Sequence, residues 1–118
     1  MQILGLAFAG TATERRAEMA RFALDTLGLA RVEVSGVEAD KFVLPDGSHF
    51  AVARPGGMGE TTRSIGFQVD RLDEAVAELR SAGVEVGEPE ENEHQRYVHF
   101  RAPDGQLYEL VEERNAGR

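Results

Sequence analysis

Lys41-Phe42-Val43-Leu44-Pro45-Asp46-Gly47-Ser48-His49-Phe50-Ala51-Val52 reappears 58 positions later as His99-Phe100-Arg101-Ala102-Pro103-Asp104-Gly105-Gln106-Leu107-Tyr108-Glu109-Leu110. The offset is constant, since Pro45 matches Pro103 and Phe42 matches Phe100. It is about half of the 118-residue chain, the signature of two copies of one small module. Each copy reads as two strands joined by a Pro-Asp-Gly turn, in which Pro presets the entry and Gly takes the left-handed position. The two copies differ most tellingly where Ala51 stands opposite Glu109.

Working outward, both halves follow one order. Gln2–Gly10 is an apolar run ending in Gly and predicts a buried strand. Thr11-Ala12-Thr13-Glu14 has the form of a capping box, and Ala17, Met19, Ala20, Phe22, Ala23 and Leu27 supply an apolar helix face. Gly28 supplies a left-handed stop. Strands follow near Arg31–Val34, Ala39–Val43 and Ser48–Arg54. The second half repeats this with a strand at Ser64–Val69 and a helix from Asp70-Arg71-Leu72-Asp73 to Ala82, its buried stripe Leu72, Val76 and Leu79. Gly83 then stops the helix, and strands follow near Val84–Val86, Arg96–Arg101 and Leu107–Val111. Glu88–Glu93 reads as a solvated acidic loop. Residues 1–54 and 64–118 are thus expected to be βαβββ modules, with 55–63, including Pro55-Gly56-Gly57-Met58-Gly59, a flexible linker. Those glycines do not make a phosphate loop, because no Gly-Lys-Ser/Thr follows them.

Composition narrows the function. A net charge of −8 with scattered basic residues argues against nucleic acid and anionic membrane as partners. No apolar run approaches the ~20 residues of a membrane span. The absence of cysteine excludes disulfides, thiolate metal sites and a thiol nucleophile, and fits a cytoplasmic location.

The tandem βαβββ order, with Arg21-Phe22 through Leu27-Gly28, Phe67-Gln68-Val69-Asp70-Arg71-Leu72-Asp73 and Pro103-Asp104-Gly105-Gln106-Leu107-Tyr108-Glu109-Leu110, resembles the vicinal oxygen chelate superfamily. That superfamily includes glyoxalase I, extradiol dioxygenases and the fosfomycin- and bleomycin-resistance proteins. The resemblance spans nearly the whole chain and implies an α+β fold of curved mixed sheets around a cavity, commonly in a homodimer. It also implies metal-ligand positions on the first and last strand of each module, which fall here on Phe8, Ala51, Ser64 and Glu109. Only Glu109 is a good ligand for a divalent ion, whereas a catalytic site needs about three protein ligands. The fold is therefore expected without the family's metal chemistry, and no cofactor is expected.

With Glu109 facing inward, strand alternation sets the rest of the wall. His49, Ala51 and Ala53 share that parity on one strand, and Ser64, Gly66 and Gln68 on another. A three-residue turn at Pro103–Gly105 places His99 opposite Glu109, so Tyr97, His99 and Arg101 face inward while Val98 and Phe100 enter the core. His99 and Glu109 are the candidate catalytic pair, since a carboxylate beside an imidazole raises its pKa and orients its proton. Against this stands a plain cross-strand ion pair. Phe8, His49, Ser64, Gln68, Tyr97 and Arg101 are the candidate ligand-binding residues. His49, His99 and Glu109 have the composition of a displaced two-histidine, one-carboxylate triad, while His94 falls in the polar loop.

The expected function is a small-molecule-binding protein of the glyoxalase and bleomycin-resistance type, without a metal centre, its ligand held in the cavity between the modules. The alternatives are a metal-dependent glyoxalase or dioxygenase, and a metal-free lyase, isomerase or hydrolase using His99 and Glu109.

Overall fold

A computed structural model describes residues 1–34, 36–57 and 61–114. Residues 58–60, in the middle of the expected linker, lie outside the described residues. In chain order the elements are β1 (Ile3–Ala12), α1 (Arg16–Arg21) with a π-helical continuation (Phe22–Thr26), β2 (Ala30–Val32), β3 (Asp40–Val43), β4 (His49–Ala53), β5 (Arg63–Val69), α2 (Leu72–Ser81), β6 (Glu90–Glu91), β7 (Gln95–Arg101) and β8 (Leu107–Glu113). Phe8–Ser64 form one compact unit, and Met1–Ala7 with the chain from Ile65 onward form the other. The architecture is α+β, as the sequence implies.

In the unit built on Phe8–Ser64 the strand order is β2-β3-β4-β1. β4 runs parallel to β1 in the register Phe8 with His49, and antiparallel to β3 in the register Phe42 with Phe50. Phe42 and Val52 are fully buried under α1 with Ala20 and Ala23, and Met19, Leu29 and Phe50 pack around them. The expected helix face is only partly used. Phe22, about 200° around the helix from the buried Ala20, is exposed, and Leu27 is exposed because the helix widens into a π turn in which the Leu27 N–H donates to the Phe22 carbonyl at 3.0 Å. The extra residue rotates Leu27 off the stripe that Ala20 and Ala23 begin. The expected capping box is also absent: the Thr13 hydroxyl accepts from the Arg15 N–H at 3.1 Å, a local turn ahead of the helix.

In the other unit β5-β8-β7-β6 repeats the plan, with β8 parallel to β5 and antiparallel to β7. Its core is Val69, Leu72, Ala75, Val76, Val98 and Leu110, with Leu79 and Phe100 packed against it, so the expected stripe of α2 faces inward. Two expectations change here. Val84–Val86 makes a single bridge, Val86 to Phe100, and the acidic segment expected as loop supplies β6. Asn92 builds the turn behind β6, its side-chain oxygen accepting from the backbone of His94 and Gln95 at 2.8 Å each. Arg96, 3.9 Å from Glu91 and 3.6 Å from Glu112, supplies the countercharge that lets glutamates pair as a strand.

The sequence repeat is reproduced bond for bond at the turns. Leu44 N–H donates to Ser48 O, Gly47 N–H to Leu44 O, and Ser48 N–H to Asp46 Oδ1. Fifty-eight positions on, Ala102 donates to Gln106 O, Gly105 to Ala102 O, and Gln106 to Asp104 Oδ1. Gly47 and Gly105 hold φ of 89° and 82°, which a side chain would resist.

α2 begins without a cap from its own segment. Its first N–H, on Leu72, instead donates to the Glu112 carboxylate of β8 at 2.9 Å. A carboxylate there satisfies an orphan donor and meets the positive end of the helix dipole. Glu112→Ala is expected to cost about 1 kcal/mol and lower the melting temperature by roughly 4 °C, measured by thermal unfolding. No change would mean that solvent satisfies that donor equally well.

Candidate functional site

Three rows of cross-strand neighbours build one face of the sheet formed by β5, β8, β7 and β6. Gly66, Glu109 and His99 form the central row, Gln68, Val111 and Tyr97 the next, with Glu90 beyond Tyr97, and Leu107 with Arg101 the third. Val98, Phe100 and Leu110 point the other way into the core, as alternation requires. Gly66, opposite Glu109, leaves the carboxylate without a bulky side chain beside it on β5.

His99 Nε2 lies 3.2 Å from Glu109 Oε2. Glu109 is 17% exposed and His99 41%, so the carboxylate is sheltered while the imidazole reaches solvent. The hydrogen bond to Glu109 raises the His99 pKa above its ordinary value, burial opposes this, and the charges of Glu109 and Glu90 add to the rise. The Tyr97 ring stands edge-on to the imidazole with centroids 6.0 Å apart. Burial pushes the Tyr97 hydroxyl pKa up, and the charges of Glu90 and Glu109 push it further. Chemically, this is a sheltered carboxylate orienting an accessible imidazole, flanked by a phenol that keeps its proton.

The sequence-derived residues divide between the units. Gln68, Tyr97, His99, Arg101 and Glu109 share this face. Arg101 is anchored at its end, donating from Nη1 to the Gly105 carbonyl at 2.7 Å, with Nε 3.8 Å from Glu85. Phe8, His49 and Ser64 belong to the other unit, Phe8 and His49 as direct neighbours across β1 and β4. His94 is exposed in the turn after Asn92. Three members of the face, Leu107, Val111 and Glu90, went unnamed in the sequence reading. Val111, 1% exposed, was legible from the alternation Leu107, Glu109, Val111. Glu90 was not, because a two-residue strand has no periodicity to read.

The donor set does not fit a resident divalent ion. Of the positions the resemblance points to, Phe8 and Ala51 carry no donor, Ser64 has a neutral, buried hydroxyl, and Glu109 is engaged by His99. Among the described residues no three His, Asp or Glu side chains are grouped to hold a metal.

A family model described as the Glyoxalase/Bleomycin resistance protein/Dioxygenase superfamily matches residues 2–110. No curated protein matches the chain by sequence. Among solved structures, methylmalonyl-CoA epimerase from Mycobacterium tuberculosis is similar at 20% identity and a TM-score of 0.69, over 93% of this chain and 88% of that one. A glyoxalase/bleomycin resistance protein/dioxygenase superfamily member from Vibrio splendidus 12B01 gives 14% and 0.65, over 91% and 97%. BphC, a halotolerant catechol dioxygenase, gives 23% and 0.72 over 94% of this chain but 40% of its own. At these identities the likeness is one of fold.

Proposed function

Because the chain belongs to the glyoxalase/bleomycin resistance protein/dioxygenase superfamily, we propose that it binds a small organic molecule against the Tyr97, His99 and Glu109 face without a metal centre. The observation that carries this reading is the 3.2 Å contact of Glu109, the one strong ligand among the four positions, with His99. A carboxylate held by an imidazole, beside an aromatic ring edge, offers a ligand one charged anchor and an apolar wall. Tyr97 and Gln68, one row along, flank the buried Val111 and extend that wall. On this reading the protein works in the cytoplasm as a homodimer. Ile3, Leu4 and Leu6 of β1, each about half exposed, favour a second copy as their cover.

The test begins with elemental mass spectrometry after dialysis against nickel, zinc, iron and manganese. Near-zero occupancy is expected, and about one ion per chain would overturn the metal-free reading. A ligand screen follows, read by tyrosine emission, since the chain has two tyrosines and no tryptophan. It includes coenzyme A thioesters, because one similar fold is a methylmalonyl-CoA epimerase.

A second reading, proton transfer by His99 with Glu109 as its orienting partner, is favoured by the raised pKa of an imidazole that solvent can reach. It requires a turnover that His99→Ala abolishes while ligand binding is retained. Turnover unchanged in that variant would leave the pair a binding element.

A further inference from the structure

In the unit built on Phe8–Ser64, on the helix-facing side, the start of α1, the first residue of β3 and the end of β4 border an open, shallow recess of about 740 Å³ lined by Glu14, Arg16, Ala17, Asp40, Arg54 and Pro55. Asp40 neighbours Val52 across β3 and β4, and Val52 is core beneath α1, so this is the face opposite Ala51. The recess is unrelated to the residues of the proposed ligand face.

Its charges are arranged rather than scattered. The Asp40 carboxylate, 14% exposed, accepts from Arg16 Nε at 2.8 Å on one oxygen and from Arg31 Nη2 on the other. Burial pushes that carboxyl up, but the hydrogen bonds and charges of Arg16 and Arg31 outweigh it and hold it below its ordinary value. Asp40 therefore stays ionised and spends both oxygens fixing two guanidinium groups; the exposed Glu33, 3.8 Å from Arg31 Nε, meets the charge of Arg31 from its other side, so Arg16 and Arg54 are the cations that face the recess. Arg16 gives only Nε to that contact among the described residues, so its Nη groups keep donors for a ligand.

Arg54 brings the second guanidinium of the lining, beside that of Arg16, from the end of β4, and its backbone is held. The Gly57 N–H donates to the Arg54 carbonyl at 2.8 Å, while the Thr13 N–H donates to the neighbouring Ala53 carbonyl at 2.9 Å. A Cβ on Gly57 would come within 2.9 Å of both Ala53 Cβ and Arg54 O, so the turn closes this tightly only with glycine. Residues 55–57, expected as slack linker, form the turn that presents Arg54.

We propose that this recess binds the phosphate group of a small phosphomonoester. Guanidinium groups match oxyanions through paired N–H donors. Donors from two separate elements suit a tetrahedral dianion, which offers oxygens to both, better than a planar carboxylate that one fork satisfies. In a chain of net charge −8 this lining is less negative than the chain as a whole, its two arginines matching its two carboxylates, one of which is spent on Arg16 and Arg31. Glu14, exposed at the rim and without an ion pair among the described residues, works against the anion and supplies a test in the opposite direction.

The experiment titrates the 15N-labelled full chain with inorganic phosphate, glycerol 2-phosphate and acetate at constant ionic strength, following the Arg16 and Arg54 side-chain and backbone signals. Saturable shifts confined to the recess are expected with both phosphates, and tighter than with acetate. Arg54→Gln should weaken them at least about tenfold, the worth of a charge-assisted hydrogen bond. Glu14→Gln should tighten them severalfold, and Arg21→Gln, which removes a charge outside the lining, should leave them unchanged. Absent saturation, equal binding by Arg54→Gln, equal loss in Arg21→Gln, or acetate binding as tightly as phosphate would each overturn the assignment.

Discussion

Phe42→Ala lowers stability by about 3–5 kcal/mol, and with it the melting temperature by roughly 12–20 °C in a chain of this size. Phe42 is completely buried, and its neighbours leave no route for collapse. Phe50 lies on the same face with ring centroids 6.5 Å apart, Val52 is equally buried beside it, and Ala20 and Ala23 above have no side chain long enough to fill the space. The Arg31 guanidinium also rests over the Phe42 ring at 5.9 Å while reaching Asp40, so the truncation removes its support as well. Thermal and urea unfolding measure the loss. A fall of less than roughly 4 °C would show that this core is looser than its packing implies.

Glu109→Gln has the largest effect on the proposed ligand face. It removes the charge and weakens the hydrogen bond that together raise His99, so the imidazole titrates nearer its ordinary value of about 6.5, followed by NMR of the ring protons. The raised folded-state pKa of His99 in the wild-type protein has a fixed consequence for stability. The contribution of the pair is fully present below the unfolded value near 6.5 and is lost as pH rises through the raised folded value. With His99 41% exposed this contribution is small, and the variant flattens the dependence of melting temperature on pH across that window. Ligand affinity falls about tenfold or more, as a charge-assisted hydrogen bond at the centre of the face is lost. An unchanged His99 titration in Glu109→Gln would remove Glu109 as the cause of the shift, and unchanged ligand affinity would move the binding site elsewhere.

Much of this face is legible in the sequence alone. The Pro-Asp-Gly turns fix the pairing of the strands beside them, so His99 opposite Glu109 followed from counting across Pro103–Gly105, and the register bears this out. Strand alternation then sorted Tyr97, His99 and Arg101 from Val98 and Phe100. What was not legible has a common character. The π turn that exposes Leu27 leaves no mark on the apolar spacing, and β6 exists because Arg96 and the Asn92 turn hold two glutamates against β7.

The chain by itself determined the repeat, the turns and their glycine conformations, the helix stops at Gly28 and Gly83, and the shared face of Tyr97, His99, Arg101 and Glu109, because each depends on backbone sterics and hydrogen bonds within a few residues. Only the tertiary structure decided the partners. Glu112 caps α2 across 40 positions, Arg16 meets Asp40 across 24, and Arg54 joins that recess through a turn that looked like slack linker. Nothing local distinguishes those charged side chains from their neighbours. Their roles come from which strands lie side by side, and that is settled by the burial of Phe42, Val52, Leu72, Val98 and Leu110, not by the charges themselves.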